Sequence, residues 1–239
     1  MTTRIWIRHD HKLAPQSPAR ACPPITKASL MDHIQQFALV TGLAWASGIR
    51  LYAVLFVVGL LGRMGWIVLP PGLHILSDPL VLSASGFMLF VEFLVDKIPG
   101  ADSLWDAVHT FIRVPAGALL AAGVIGDNNS ALTVAAGILG GVIAAGTHIT
   151  KAGSRALINA SPEPVTNWAA SFTEDAIVAG GVWAIFQHPI LFLIALAIFI
   201  ALAAWLLPRL WRGIRRLVAR VSNLLRGGTR PDQGKFQGP

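Results

Sequence analysis

Six apolar runs follow one another along the chain, separated by short stretches rich in Pro, Gly, Asn and Asp. They cover residues 36–62, 79–97, 102–126, 130–158, 165–187 and 189–207. Each is close to or above the ~20 residues a helix needs to cross the hydrocarbon core of a bilayer. The last run carries no charged residue over 19 positions. Between the first two, residues 64–78 contain Pro70-Pro71-Gly72 and read as an external loop. Beyond the sixth, residues 209–226 set Leu210, Trp211, Ile214, Leu217, Val218 and Leu224 against Arg209, Arg212, Arg215, Arg216 and Arg220. That is the pattern of a basic amphipathic helix lying on a membrane surface. Residues 1–31 and 227–239 read as disordered tails. The expected fold is all-α: a polytopic transmembrane helix bundle of about six spans within residues 32–208, followed by the interfacial helix.

Composition supports this reading. The chain is 54% hydrophobic and 13% charged, with a mean hydropathy of +0.61. Soluble domains carry about 25% charged residues. The lone Cys22 excludes an intrachain disulfide and a cysteine metal site. No secretory signal is expected in residues 1–31, which are basic and Pro-rich without an apolar centre. The net charge of +7 does not point to nucleic acid, because its basic residues gather in the tails. With both termini inside, fourteen of the 19 Lys and Arg residues fall on the cytoplasmic side and only Arg63 falls outside. This obeys the positive-inside rule and predicts a cell (inner) membrane protein with both termini cytoplasmic. Its expected partners are the lipid bilayer, anionic headgroups at the C-terminal helix, and further copies of itself.

The remaining charges change the picture, because they lie within the apolar runs. Arg50 has 14 residues of the first run before it and 12 after it. Such an arginine needs a carboxylate partner. Depth along straight helices ranks Glu174 and Asp175 ahead of Asp96 for that role. Gly42, Ser47 and Gly48 precede it and allow either close helix approach or a helix break. Glu92 and Asp96 are spaced i,i+4. Asp102, Asp106, His109 and Arg113 form one helical stripe, and His148, Lys151 and Arg155 form another. Three uses fit these residues. Carboxylates and histidines can relay protons or bind ions while arginine and lysine hold an anionic substrate, which makes a transporter or channel. The same groups can act on a lipid or phosphate as an intramembrane enzyme. They can also be a salt-bridge network in a non-catalytic assembly factor. Asp102, Asp106 and His109 have a spacing that can hold Mg²⁺ or Zn²⁺, and His109 with His148 can ligate haem, but no catalytic signature accompanies them, so cofactor and metal stay unassigned. A faint internal echo, F-x-x-D-x-I at 93–98 and 172–177, hints at an inverted repeat.

Three segments, GLAWASGIRLYAV, VEFLVDKIPGADSLWDAVHTFIRVPAGAL and THITKAGSRALINASPEPVTNWAASFTED, resemble the domain-of-unknown-function family 4126 over roughly residues 36–187. The resemblance implies a polytopic membrane protein and brings no catalytic residues with it.

Overall fold

The structure is a computed structural model that describes residues 27–98, 100–159 and 164–226. Most of the expected N-terminal tail, the tail from 227 onward, and Pro99 lie outside the described residues. Six α-helices follow in order: α1 (Lys27–Arg63), α2 (Pro79–Val95), α3 (Ala101–Ile125), α4 (Ser130–Ile158), α5 (Pro164–Gln187) and α6 (Pro189–Arg226). No strand occurs among the described residues. Five of the helices, all but α2, are long and apolar enough to cross a membrane. A 3-10 segment, Pro71–Ser77, and α2 are bent by 67° against each other and make a sixth crossing if taken as one broken span.

The distribution of side chains is inverted relative to a water-soluble protein. Large apolar residues such as Phe87, Phe111, Ile138, Val142 and Ile194 face outward, while Arg50, Glu92, Asp96, Asp106 and Arg113 are enclosed. Charged residues are almost never buried in soluble folds, and an apolar exterior over several helices needs lipid around it. The chain is a multi-pass membrane protein.

Helix α1 stands at the centre, packed against every other helix. Its Leu43, Ala44, Val54 and Val58 are fully enclosed. Small residues let the backbones of α1, α3 and α4 come close. A Cβ on Gly48 would stand 2.6 Å from the Ala144 carbonyl oxygen, and one on Gly140 would stand 2.7 Å from that of Gly117. Gly100 opens α3 at φ +87°, a conformation that L side chains rarely adopt.

Two segments differ from the sequence reading. Residues 64–78, read as an external loop, hold a 3-10 turn, Pro71–Ser77, packed on the bundle. Pro71 sits at the first position of the 3-10 turn, where a missing N–H costs nothing, and Leu73 and Leu76, three residues apart on one face, are buried against the bundle. Residues 209–226 are not a separate helix. They continue α6 through Pro208 as one helix of 38 residues, about 57 Å long at ~1.5 Å per residue. The basic segment rests on α4, where Leu157 packs at the Gly213 position.

A charge cluster at the break in helix α1

Arg50 is where α1 breaks: its backbone is extended, at φ −142° and ψ 77°, between two helical halves. Its side chain is 0% exposed. Nη1 lies 2.5 Å from Asp96 Oδ2, and Nε lies 3.1 Å from Asp175 and 3.7 Å from Glu174. Nη2 donates to the Ser171 hydroxyl and carbonyl at 2.9 and 3.2 Å. Asp96, ranked last by straight-helix depth, makes the shortest pair. It lies just past the end of α2 where the chain turns, and Arg155 Nη1 donates to its carbonyl at 3.3 Å, tying that turn into the interior. The Ile49 carbonyl, beside the break, accepts from Arg113 Nη1 at 3.2 Å and Lys151 Nζ at 3.0 Å. Basic side chains from α3 and α4 thus cap a backbone group at the interrupted point of α1.

The other cations extend the network. Arg113 pairs with Glu92 at 2.5 Å and Asp106 at 3.0 Å. Lys151 stands 3.3 to 3.6 Å from Glu174, Asp96 and Asp106. Arg155 donates to both oxygens of Glu174 at 2.9 and 3.1 Å and to Asn167 Oδ1 at 2.6 Å, and lies 3.6 Å from Asp102. His148 receives an N–H from Arg113 on Nδ1 at 3.3 Å, and its Nε2 faces the Asp106 carbonyl at 3.1 Å. Arginine can only donate and a carbonyl can only accept, so these partners fit a neutral imidazole protonated on Nε2. His109 stands apart from the ion pairs. Its Nδ1 donates to the Trp105 carbonyl at 2.8 Å, its Nε2 accepts from Tyr52 Oη at 3.1 Å, and its ring stacks on Trp105 at 4.0 Å.

Of the twelve residues singled out in the sequence, eleven therefore meet in one connected network and His109 lies beside it. Asp102, Asp106 and His109 do not converge on a metal. Asp102 accepts from Asn159 and the Ser103 amide, Asp106 faces Arg113 and Lys151, and His109 turns to Tyr52. Among the described residues, no group of three or more His, Cys, Asp or Glu side chains is placed to hold a metal ion. Both ring nitrogens of His109 and of His148 are engaged, which leaves neither turned toward a haem. Sequence reasoning missed Tyr52, the chain's one tyrosine, two residues past the break. It also missed Thr110, which lies 2.8 Å from His148 Nε2, and Asn159.

Charge and access separate the network into two parts. Arg50, Arg113, Lys151 and Arg155 are enclosed together with Glu92, Asp96, Asp102 and Asp106, four cations against four carboxylates. Glu174 and Asp175 add two negative charges, and their side chains remain 17% and 32% exposed. Neighbours on a helix point about 100° apart, and the two face different cavities. Asp175 lines a cavity of about 410 Å³ between α1, α2 and α5. Glu174 lines one of about 330 Å³ with Lys151, Arg155 and Phe199. At the rim, the Lys97 ammonium lies 3.0 Å above the Phe93 ring, with the Phe172 and Trp168 rings at 4.8 and 5.9 Å. Burial holds that ammonium below the usual lysine range, and Asp175 pulls it back up.

The profile of a domain of unknown function, DUF4126, matches residues 37–209. No curated protein and no solved structure is similar to the chain.

Proposed function

The chain belongs to the DUF4126 family of domains, and from that footing we propose that it is a cation-coupled membrane transporter whose exchange site is Glu174 and Asp175. The observation that carries this reading is the uneven charge. The enclosed part of the cluster is balanced, and the two surplus carboxylates are the cluster's carboxylates that line the described cavities, Glu174 beside Lys151 and Arg155. Both carboxylates touch cations, Glu174 at Arg155 and Lys151 and Asp175 at Arg50, yet they bring the cluster to six carboxylates against four cations, and such a negative excess in a bilayer favours uptake of a proton or another cation. Lys97 at the rim offsets one of the two charges. A surplus of negative charge argues against an anionic substrate as the resident species. The broken α1 gives the site its place, since interrupted helices put backbone polar groups at mid-membrane depth where ions bind. The protein is placed in the cell (inner) membrane with both termini cytoplasmic, on the strength of its tail arginines and lysines.

The test is flux through purified protein in sealed vesicles containing a pH-sensitive dye, with proton, sodium and potassium gradients imposed in turn. One of these cations should move faster than in protein-free vesicles, and the double variant Glu174→Gln/Asp175→Asn should abolish the difference. Inert vesicles under all three gradients would refute transport. A second reading draws on the balanced four-against-four core, which suits a network that holds helix register. If that were the whole role, Glu174→Gln would cost stability through its contacts to Arg155 and Lys151, and neither substitution would change ion flux.

A further inference from the structure

Lys97 does not pair with a carboxylate within salt-bridge range in the described structure. Its ammonium sits among three aromatic rings, Phe93 from α2 and Trp168 and Phe172 from α5, all within the ~6 Å over which a ring face attracts a cation. Phe93 and Phe172 meet edge to face at 6.3 Å, and Trp168 and Phe172 at 6.5 Å. Phe93 is shared with the cavity of about 410 Å³, whose other walls include Val57, Leu89, Phe90 and Val182. Asp175 is the one ionisable residue among the described residues lining that cavity. An open apolar groove with Asp175 as its one ionisable wall residue and the aromatic cage adjoin each other through Phe93, which belongs to both. The lysine fills the cage as a cation on a tether.

We infer that this groove and cage are a binding site for lipophilic organic cations, in which the ligand's apolar groups fill the groove, its positive charge faces Asp175 and the Phe93–Trp168–Phe172 cage, and the Lys97 ammonium withdraws. Rejection of anions follows from Asp175, and among organic ligands the apolar walls and rings favour diffuse cations over compact ones. Aromatic faces replace hydration poorly for a strongly hydrated ion and well for a diffuse one. The inference rests on the transport reading for its biological direction, and it names the class of substrate exchanged there. The site itself stands on cavity, cage and carboxylate alone.

The experiment is equilibrium dialysis of the detergent-purified full chain against radiolabelled tetraphenylphosphonium, with tetraphenylborate as an anion of the same shape. Saturable binding of the cation and none of the anion is expected. Asp175→Asn should weaken it about tenfold, the loss of one favourable charge contact. Phe93→Ala should weaken it about threefold or more, and Lys97→Ala should tighten it about three- to tenfold by removing the competing ammonium. Thermal melting of each variant reports whether it is folded, and Lys97→Ala guards against a loss caused by misfolding because its expected change is a gain. Equal binding of tetraphenylborate would overturn the inference. So would cation binding indifferent to Asp175→Asn, or weakened by Lys97→Ala. The two readings fail separately. Vesicles that move protons around a protein blind to tetraphenylphosphonium remove the substrate class and leave transport. A protein that binds it but moves nothing keeps the site and loses the transporter.

Discussion

Replacing Arg50 by alanine takes one guanidinium out of contact with Asp96, Asp175, Glu174 and Ser171. The consequence differs at each partner. Asp96 is 0% exposed and keeps Lys151 at 3.6 Å as its remaining side-chain ion pair. Asp175, at 32%, can recruit water, and Glu174 keeps Arg155 and Lys151. Removing one partner of a buried pair costs ~3–5 kcal/mol, mostly as the penalty of the orphaned charge. The proximity of Lys151 places Arg50→Ala at the lower end, ~3 kcal/mol, in denaturant-induced unfolding in mixed micelles. Arg50→Ala/Asp96→Asn removes the orphan, and should recover ~1–3 kcal/mol relative to the sum of the single variants. The cycles with Asp175→Asn and Glu174→Gln should recover less, since those carboxylates have water or other cations. Additivity within ~0.5 kcal/mol for all three carboxylates would mean that Arg50 has no dedicated partner. Greater recovery with Asp175→Asn than with Asp96→Asn would refute the ranking by burial.

Tyr52→Phe deletes the hydroxyl that donates to His109 Nε2, and should cost ~1 kcal/mol in the same unfolding assay; no loss would mean the histidine finds another donor. Gly48→Ala would set its Cβ 2.6 Å from the Ala144 carbonyl oxygen, and should cost ~1–3 kcal/mol, because backbone on both sides has to give. Topology reporters at residue 128 and at the C-terminus should report opposite sides, since α4, α5 and α6 lie between them; the same side for both would sink the topology. Reporters at the two termini then decide whether the bent pair Pro71–Ser77 and Pro79–Val95 crosses: the same side means six crossings, opposite sides five.

The helical character of the chain was legible because apolar runs of hydrocarbon length have few other uses. The stripe of Asp102, Asp106, His109 and Arg113 could be read as well, since all four are buried on one face of α3. What that face meets could not be read, because spacing gives direction and not neighbours. The break at Arg50 was left undecided by composition: Gly42, Ser47 and Gly48 serve close packing as readily as interruption, and Gly48 in fact packs against α4. Depth counted along straight helices misplaced Asp96, which sits where the chain turns. The sixth apolar run ends at residue 207 and the basic helix is expected from 209, yet α6 runs through Pro208 to Arg226. Proline is tolerated inside membrane helices where neighbouring helices, side chains or local adjustments satisfy the backbone group it frees.

The echo between the two F-x-x-D-x-I segments gains meaning from where they come to lie. Phe93 and Phe172 touch, and Asp96 and Asp175 grip the same guanidinium at 2.5 and 3.1 Å. Like residues have been given unlike surroundings. Asp96 is enclosed, with Lys151 as a second cation, while Asp175 opens to a cavity. The Asp96 contact at 2.5 Å holds the guanidinium in place whatever happens on its other side. On the proposed transport reading, one carboxylate of the pair anchors and the other exchanges. The two substitutions should separate accordingly. Asp96→Asn strands part of a buried positive charge and should lower stability by ~2 kcal/mol or more. Asp175→Asn, partly hydrated, should change stability by less than ~1 kcal/mol, yet remove most of the cation flux in vesicles. If Asp175→Asn proves the more destabilising, or if flux survives it while failing in a fully folded Asp96→Asn protein, the roles assigned to the two aspartates are the wrong way round.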